Sequence, residues 1–244
     1  VPKYNLILNL PGFTIVKVSG YQPLLLDVRY SRLARCGHCQ SKQVLERLPG
    51  KERVKVVCMD LSSTYRSIVK KYFPKALIVA DRFHVIRLIQ HQCMMTYREL
   101  SSEIKSNRGI LALLRTRPDN LSAEKKVKRD AFLIQNPAID AIYQFQQQLH
   151  ALLMKRALTQ RACRQVIPTF LGMLDELKQS GFKALVSLGR TLTSWKDEVA
   201  RMWRFSKSNG ITEGFHRKMK LIQRRAYGFR NFENYRVRVK VLCG

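Results

Sequence analysis

Apolar residues follow two different rhythms along this 244-residue chain. Up to about residue 81 they come in short runs; beyond it they recur at helical spacing. "FTIVKVSGY" (13–21) and "PLLLDVRY" (23–30) are short apolar runs with the turn residues Gly20 and Pro23 between them, which predicts strands. Residues 46–52, "ERLPGKE", read as a linker. A strand is predicted over about 54–59, a helix over 62–72 that stops at Pro74, and a second strand over 76–80. From Asp81 to about 204 the pattern is almost entirely helical, with breaks near Pro118, Pro137 and Gly181. Phe83, Ile86, Leu88 and Ile89 open a long helix, and residues 160–179 and 193–204 continue the theme. After "SKSNG" a helix is predicted from Ile211 to about Arg225, and another follows the break at Gly228.

A strand–helix–strand unit of this length predicts a right-handed parallel crossover. Asp60 and Asp81 then fall at the C-terminal ends of neighbouring strands. That edge is where open α/β sheets bind ligands. Two carboxylates there could hold a divalent cation such as magnesium, which takes hard oxygen ligands. Each Asp also suits the N-cap of the helix after it, and spacing alone leaves both readings open. His84, three residues after Asp81, could face the same site from the start of a helix, or simply be a packed or solvated residue.

Charge changes the picture. Lys and Arg number 45 against 17 Asp and Glu, a net charge of +28. Such an excess predicts a polyanionic partner, with nucleic acid first. The basic residues are spread along the whole length, and no run of about 18 apolar residues exists, so no membrane span is expected. "NLILNL" (5–10) is too short for a signal-peptide core, and an intracellular location is expected. Of six cysteines only Cys36 and Cys39 are close together; the others sit in apolar stretches and read as buried thiols.

The stretch 208–240 holds the most suggestive pattern. Thr212 can cap a helix, and Glu213 then sits in its first turn, where the helix dipole favours a carboxylate. Beyond it come Arg217, Lys218, Lys220, Arg224, Arg225, Arg230, Arg236 and Arg238, interleaved with Phe215, Tyr227, Phe229, Phe232 and Tyr235. Basic residues among aromatics suit phosphate contact together with packing or base stacking.

"DLSSTYRSIVKKYFPKALIVADRFHVIRLI" (60–89) and "SNGITEGFHRKMKLIQRRAYGFRNFENYRVRV" (208–239) closely resemble the ISL3 family of bacterial insertion-sequence transposases, and "YNLILNLPGFTIVKV" with "RLARCGHCQSK" resembles the start of the same family. The resemblance implies an RNase H-like core with an Asp-Asp-Glu triad and two divalent metals, magnesium or manganese. It implies metal-dependent strand cleavage and strand transfer, with transposon ends and target DNA as partners. By resemblance Asp60 is the second acid, Asp81 and His84 match an Asp-x-x-His signature, and Glu213 is the final acid; an alternative gives the second-acid role to Asp81. A cytoplasmic, nucleoid-associated bacterial protein is implied, with a homo-oligomer left open.

The chain departs from the family in two places. The family's zinc region has two Cys pairs, whereas Cys36 and Cys39 form a single one, half of the four-ligand set that a structural zinc site needs. Only about 20 residues lie between Cys39 and Asp60, too few for a second pair and the strands that carry the first Asp. An internal deletion accounts for both. The expected fold is α/β and mostly helical. Residues 1–48 form a small β-rich remnant of the zinc-binding region and 49–84 a truncated RNase H-like core. Residues 85–205 are a large helical insertion, and 206–244 are C-terminal core helices carrying the Glu. Two functions compete: a transposase impaired by loss of its first Asp, and a non-catalytic DNA-binding remnant.

Overall fold

The computed structural model describes residues 5–10, 13–18, 52, 54–205 and 210–243. The chain divides into two units, Val1–Asp81 with Lys207–Gly244, and Arg82–Ser206.

The first unit is built on a four-stranded sheet in the order β1-β2-β3-β4. Strands β1 (Asn5–Leu10) and β2 (Phe13–Val18) form an antiparallel hairpin. Strand β3 (Val56–Met59) pairs antiparallel with β2 and parallel with β4 (Leu77–Ala80). Phe13–Val18 therefore shares a sheet with the strand–helix–strand unit. The second strand of the N-terminal region expected over 23–30 lies outside the described residues.

The parallel pair forms where both strands are buried apolar runs, as parallel sheets require. Val57 and Met59 are fully buried, and Val79 and Ala80 nearly so. The crossover helix α1 (Ser63–Tyr72) starts at Ser62, whose side chain accepts a hydrogen bond from the Tyr65 backbone N–H at 3.5 Å. It buries Val69 and Tyr72. It ends at Phe73, whose N–H bonds the Val69 carbonyl at 2.8 Å just before Pro74. After Lys207 the same unit contributes α10 (Gly210–Arg225) and α11 (Phe232–Cys243), close to the expected bounds. These two pack through Met219, Ile222 and Tyr235, with Phe229 and Val239 against them.

The second unit is all helical: α2 (Arg82–Leu100), α3 (Ser102–Ser106), α4 (Arg108–Arg115), α5 (Ala123–Gln135), α6 (Pro137–Met154), α7 (Gln160–Gln179), α8 (Lys183–Ser194) and α9 (Lys196–Arg201). The helical run breaks in more places than its prolines and Gly181 announce. Ser101 accepts from the Ile104 N–H at 3.4 Å, and Asn107 from the Gly109 and Ile110 N–H groups at 3.0 and 3.2 Å. Ser and Asn end a helix by offering these N–H groups an alternative partner, and each cap here starts a new helix. The helix expected over 193–204 is likewise split, α8 ending at Ser194 and α9 starting at Lys196.

Helix α2 packs on α6 and α8, and α7 packs on α8. A Cβ at Gly189 would meet Leu177 Cβ and the Lys178 backbone N at 3.0 Å, so the α7–α8 approach depends on glycine there. The buried Tyr97 hydroxyl donates to Gln146 Oε1 at 2.8 Å, linking α2 to α6. Trp203 is fully buried. Its indole N–H donates to the Leu152 carbonyl at 3.0 Å, and its own carbonyl accepts from the Leu158 N–H at 2.9 Å. Its ring meets Phe170 edge-on at 5.5 Å. One residue, through its indole and its backbone carbonyl, thus closes the α6–α7 connection. Cys58, Cys93 and Cys163 are buried, and burial pushes Cys93 up to about 12, as inert core residues should behave.

Trp203→Ala removes the ring, its N–H bond and the Phe170 contact together. It should cost about 3–5 kcal/mol of unfolding free energy in urea titration. Trp203→Phe, which keeps most of the volume but strands the Leu152 carbonyl, should cost less, about 1–3 kcal/mol.

Candidate metal and nucleic-acid sites

The ladder between β3 and β4 sets the first site. Val57 pairs with Ile78 and Met59 with Ala80, so the next residue on each strand is an aspartate. The Asp81 N–H extends the ladder, donating to the Met59 carbonyl at 2.7 Å. Asp60 and Asp81 therefore leave the sheet side by side at its C-terminal edge. Helix α2 starts at Arg82, and His84 lies in its first turn. One carboxylate oxygen from each Asp and a ring nitrogen of His84 lie within 4.8 Å of one another. Asp81 is only 2 % exposed; Asp60 and His84 are half-buried.

The capping alternative resolves differently at the two positions. Ser62, not Asp60, caps α1, so Asp60 has no helix to cap. Asp81 directly precedes Arg82 and keeps the N-cap position of α2. The donor set, two carboxylates and an imidazole, suits a divalent cation that accepts oxygen and nitrogen ligands.

Glu213 lies within the first turns of α10; its side chain is outside the described residues. Cys36 and Cys39 also lie outside them. The eight basic residues of the C-terminal stretch, Arg217, Lys218, Lys220, Arg224, Arg225, Arg230, Arg236 and Arg238, are all exposed. On α10, Arg217, Lys220 and Arg224 share the face opposite the buried Met219 and Ile222, because residues three and four apart lie on one face. On α11, Arg236 pairs with Glu233 at 3.1 Å and Arg238 lies over the Phe229 ring at 5.7 Å. Sequence spacing does not distinguish the aromatics of this stretch, but their burial does. Phe229 and Tyr235 pack against each other at 5.2 Å, while Tyr227 stands fully exposed.

Comparison with known proteins gives the same direction from outside the geometry. A family model described as a transposase, of the ISL3 type, matches residues 21–239. The chain is 26% identical over 252 residues to the transposase for insertion sequence element IS1001 of Bordetella parapertussis. That alignment takes in 96% of this chain and 60% of the relative, so the chain spans about 60% of the length of the curated protein it matches. No solved structure matches.

Manganese should raise the thermal midpoint of the protein, since a ligand that binds only the folded state stabilises it. The Asp60→Asn/Asp81→Asn double variant should lose that rise, as read by differential scanning fluorimetry with and without the metal.

Proposed function

The chain belongs to the ISL3 family of transposases, and on that premise we propose that it cuts and joins DNA at the ends of an insertion sequence. The observation that carries the reading is the meeting of Asp60, Asp81 and His84 at the C-terminal edge of a parallel strand pair. In this reading the sheet is an RNase H-like core. Asp60 is its second acid, Asp81 and His84 complete the signature beside it, and Glu213 on α10 is the last acid. Helices within Arg82–Ser206 are the insertion that separates the second acid from the third, which the division of the chain into units supports.

The reaction is an in-line displacement at phosphorus. Water attacks the phosphodiester at the transposon end; its oxygen forms a new P–O bond, the bond to the 3′ oxygen breaks, and that oxygen leaves as a hydroxyl. The freed 3′-OH then attacks a target phosphodiester. It gives up its proton, forms the joining P–O bond and releases the target's 3′ oxygen as a hydroxyl. Asp60 and Asp81 would hold magnesium or manganese, with His84 beside them. Such ions activate the attacking oxygen and stabilise the leaving one. The protein's own residues orient the reacting phosphate. The exposed arginines and lysines of α10 and α11 hold the backbone through charge-assisted contacts, which also makes binding salt-dependent.

A second reading is favoured by a specific feature of the sheet. Strand β2, the neighbour of β3, reads "FTIVKV" and β1 reads "NLILNL", so neither brings a carboxylate to the site. A two-metal site short of one acid binds DNA without cutting it. The chain would then be a non-catalytic remnant that keeps its grip on transposon ends.

Incubating a labelled transposon-end duplex with magnesium or manganese separates the two. Nicking by this chain that falls to background in Glu213→Gln supports the transposase. Salt-dependent binding with no nicking in either protein supports the remnant. Absence of binding at low salt overturns both.

A further inference from the structure

Helix α10 ends in an unusual way. The Gly228 N–H donates to the Gln223 carbonyl at 3.0 Å and the Tyr227 N–H to the Arg224 carbonyl at 3.2 Å. These are the two bonds of a Schellman cap, which turns the chain out of a helix through one left-handed residue, ordinarily glycine. Here that residue is Tyr227, at φ 50°, with Gly228 following at φ 98°. A tyrosine in this conformation costs stability that glycine would not. Nor is the cost offset by burial: the Tyr227 side chain is 101% exposed relative to an open reference, the most exposed large apolar side chain among the described residues.

The other aromatics of the turn behave in the ordinary way. Phe229 and Tyr235 join the core between α10 and α11. Tyr227 is held away from that core by its backbone and stands among exposed cations. Arg224 and Arg225 immediately precede the turn, and Arg230 follows it. Leu221, on the same outward face of α10 as Arg217 and Arg224, is also half exposed. A rigid ring at the tip of a turn, with guanidinium groups on either side, has the make-up of a nucleic-acid stacking platform. The cations fix phosphates and the π-face takes a base.

We propose that Tyr227 is a base-stacking residue: it receives an unpaired or unstacked base of the DNA strand held by Arg224, Arg225 and Arg230. This rests on the reading of α10 and α11 as a DNA surface and adds to it a preference for DNA whose end is open over fully paired duplex. Stacking needs an exposed base face, and every base has one, so the contact favours strand opening without selecting a sequence.

The test uses the full chain and two fluorescent DNA probes in anisotropy titrations, a blunt duplex and the same duplex with a single-stranded end. The wild type should bind the open-ended probe more tightly. Tyr227→Gly should bind it about tenfold more weakly, the lower part of the range for one lost base stack, with little change on the blunt duplex. Tyr227→Phe should behave as wild type. The thermal midpoint of Tyr227→Gly should hold or rise, because glycine suits the left-handed position. Equal binding of the open-ended probe by wild type and Tyr227→Gly overturns the inference while leaving the DNA surface intact. So does a loss that is equal on both probes and accompanied by a lower midpoint, which marks a structural role. Failure of the wild type to bind either probe overturns the DNA surface itself.

Discussion

The pairing of Met59 with Ala80 is the constraint on which the candidate metal site rests. The ladder has little freedom to slip, because a shift of one residue would draw an aspartate in among the buried apolar residues, where an unpaired carboxylate is costly. Val57, Met59, Val79 and Ala80 are buried and hold the register. Once they do, the two aspartates that follow must emerge together, and the carboxylates converge without any long-range folding code of their own. The surrounding chain then removes a competing use for one of them: Ser62 takes over the cap of the crossover helix and leaves Asp60 at the edge.

The two charge regimes of the molecule complement each other. A net charge of +28 repels itself, which weakens the compact state and attracts anions to the surface. On α10 Arg217, Lys220 and Arg224 lie opposite Met219 and Ile222, and the helix keeps its packing while presenting cations to solvent. The acids at the strand edge are the exception in this field. Carboxylates brought within a few ångströms of one another are costly unless a cation or hydrogen bonds compensate, which is why their position carries more information than their number.

What could be read in the sequence was the local part. Short apolar runs ending at Pro74 and at aspartates disclosed the strand–helix–strand unit, and the Gly228 break disclosed the helices on either side of it, because those signals act within a few residues. Pairing of β2 with β3 could not be read, since about forty residues separate them and an apolar hexapeptide does not name its partner. Ser101 and Asn107 were masked by the helical rhythm around them; a cap becomes visible only once its side chain is seen to take the N–H groups. Asp60 and Ser62 compete for one cap on equal propensity, and only geometry decides between them. Tyr227 looked like its aromatic neighbours until the backbone set it apart.

The chain order of the two units carries a consequence for how the protein is made. The helical unit, Arg82–Ser206, is continuous, whereas the other is assembled from segments on both sides of it. During synthesis the helices can find their neighbours as soon as they emerge, since most of their partners are close in sequence. The sheet-bearing unit has to wait for α10 and α11, which are translated after the helical unit. A ribosome stalled within the helical stretch would therefore display a folded bundle tethered to an unfinished half, open to chaperones and proteases.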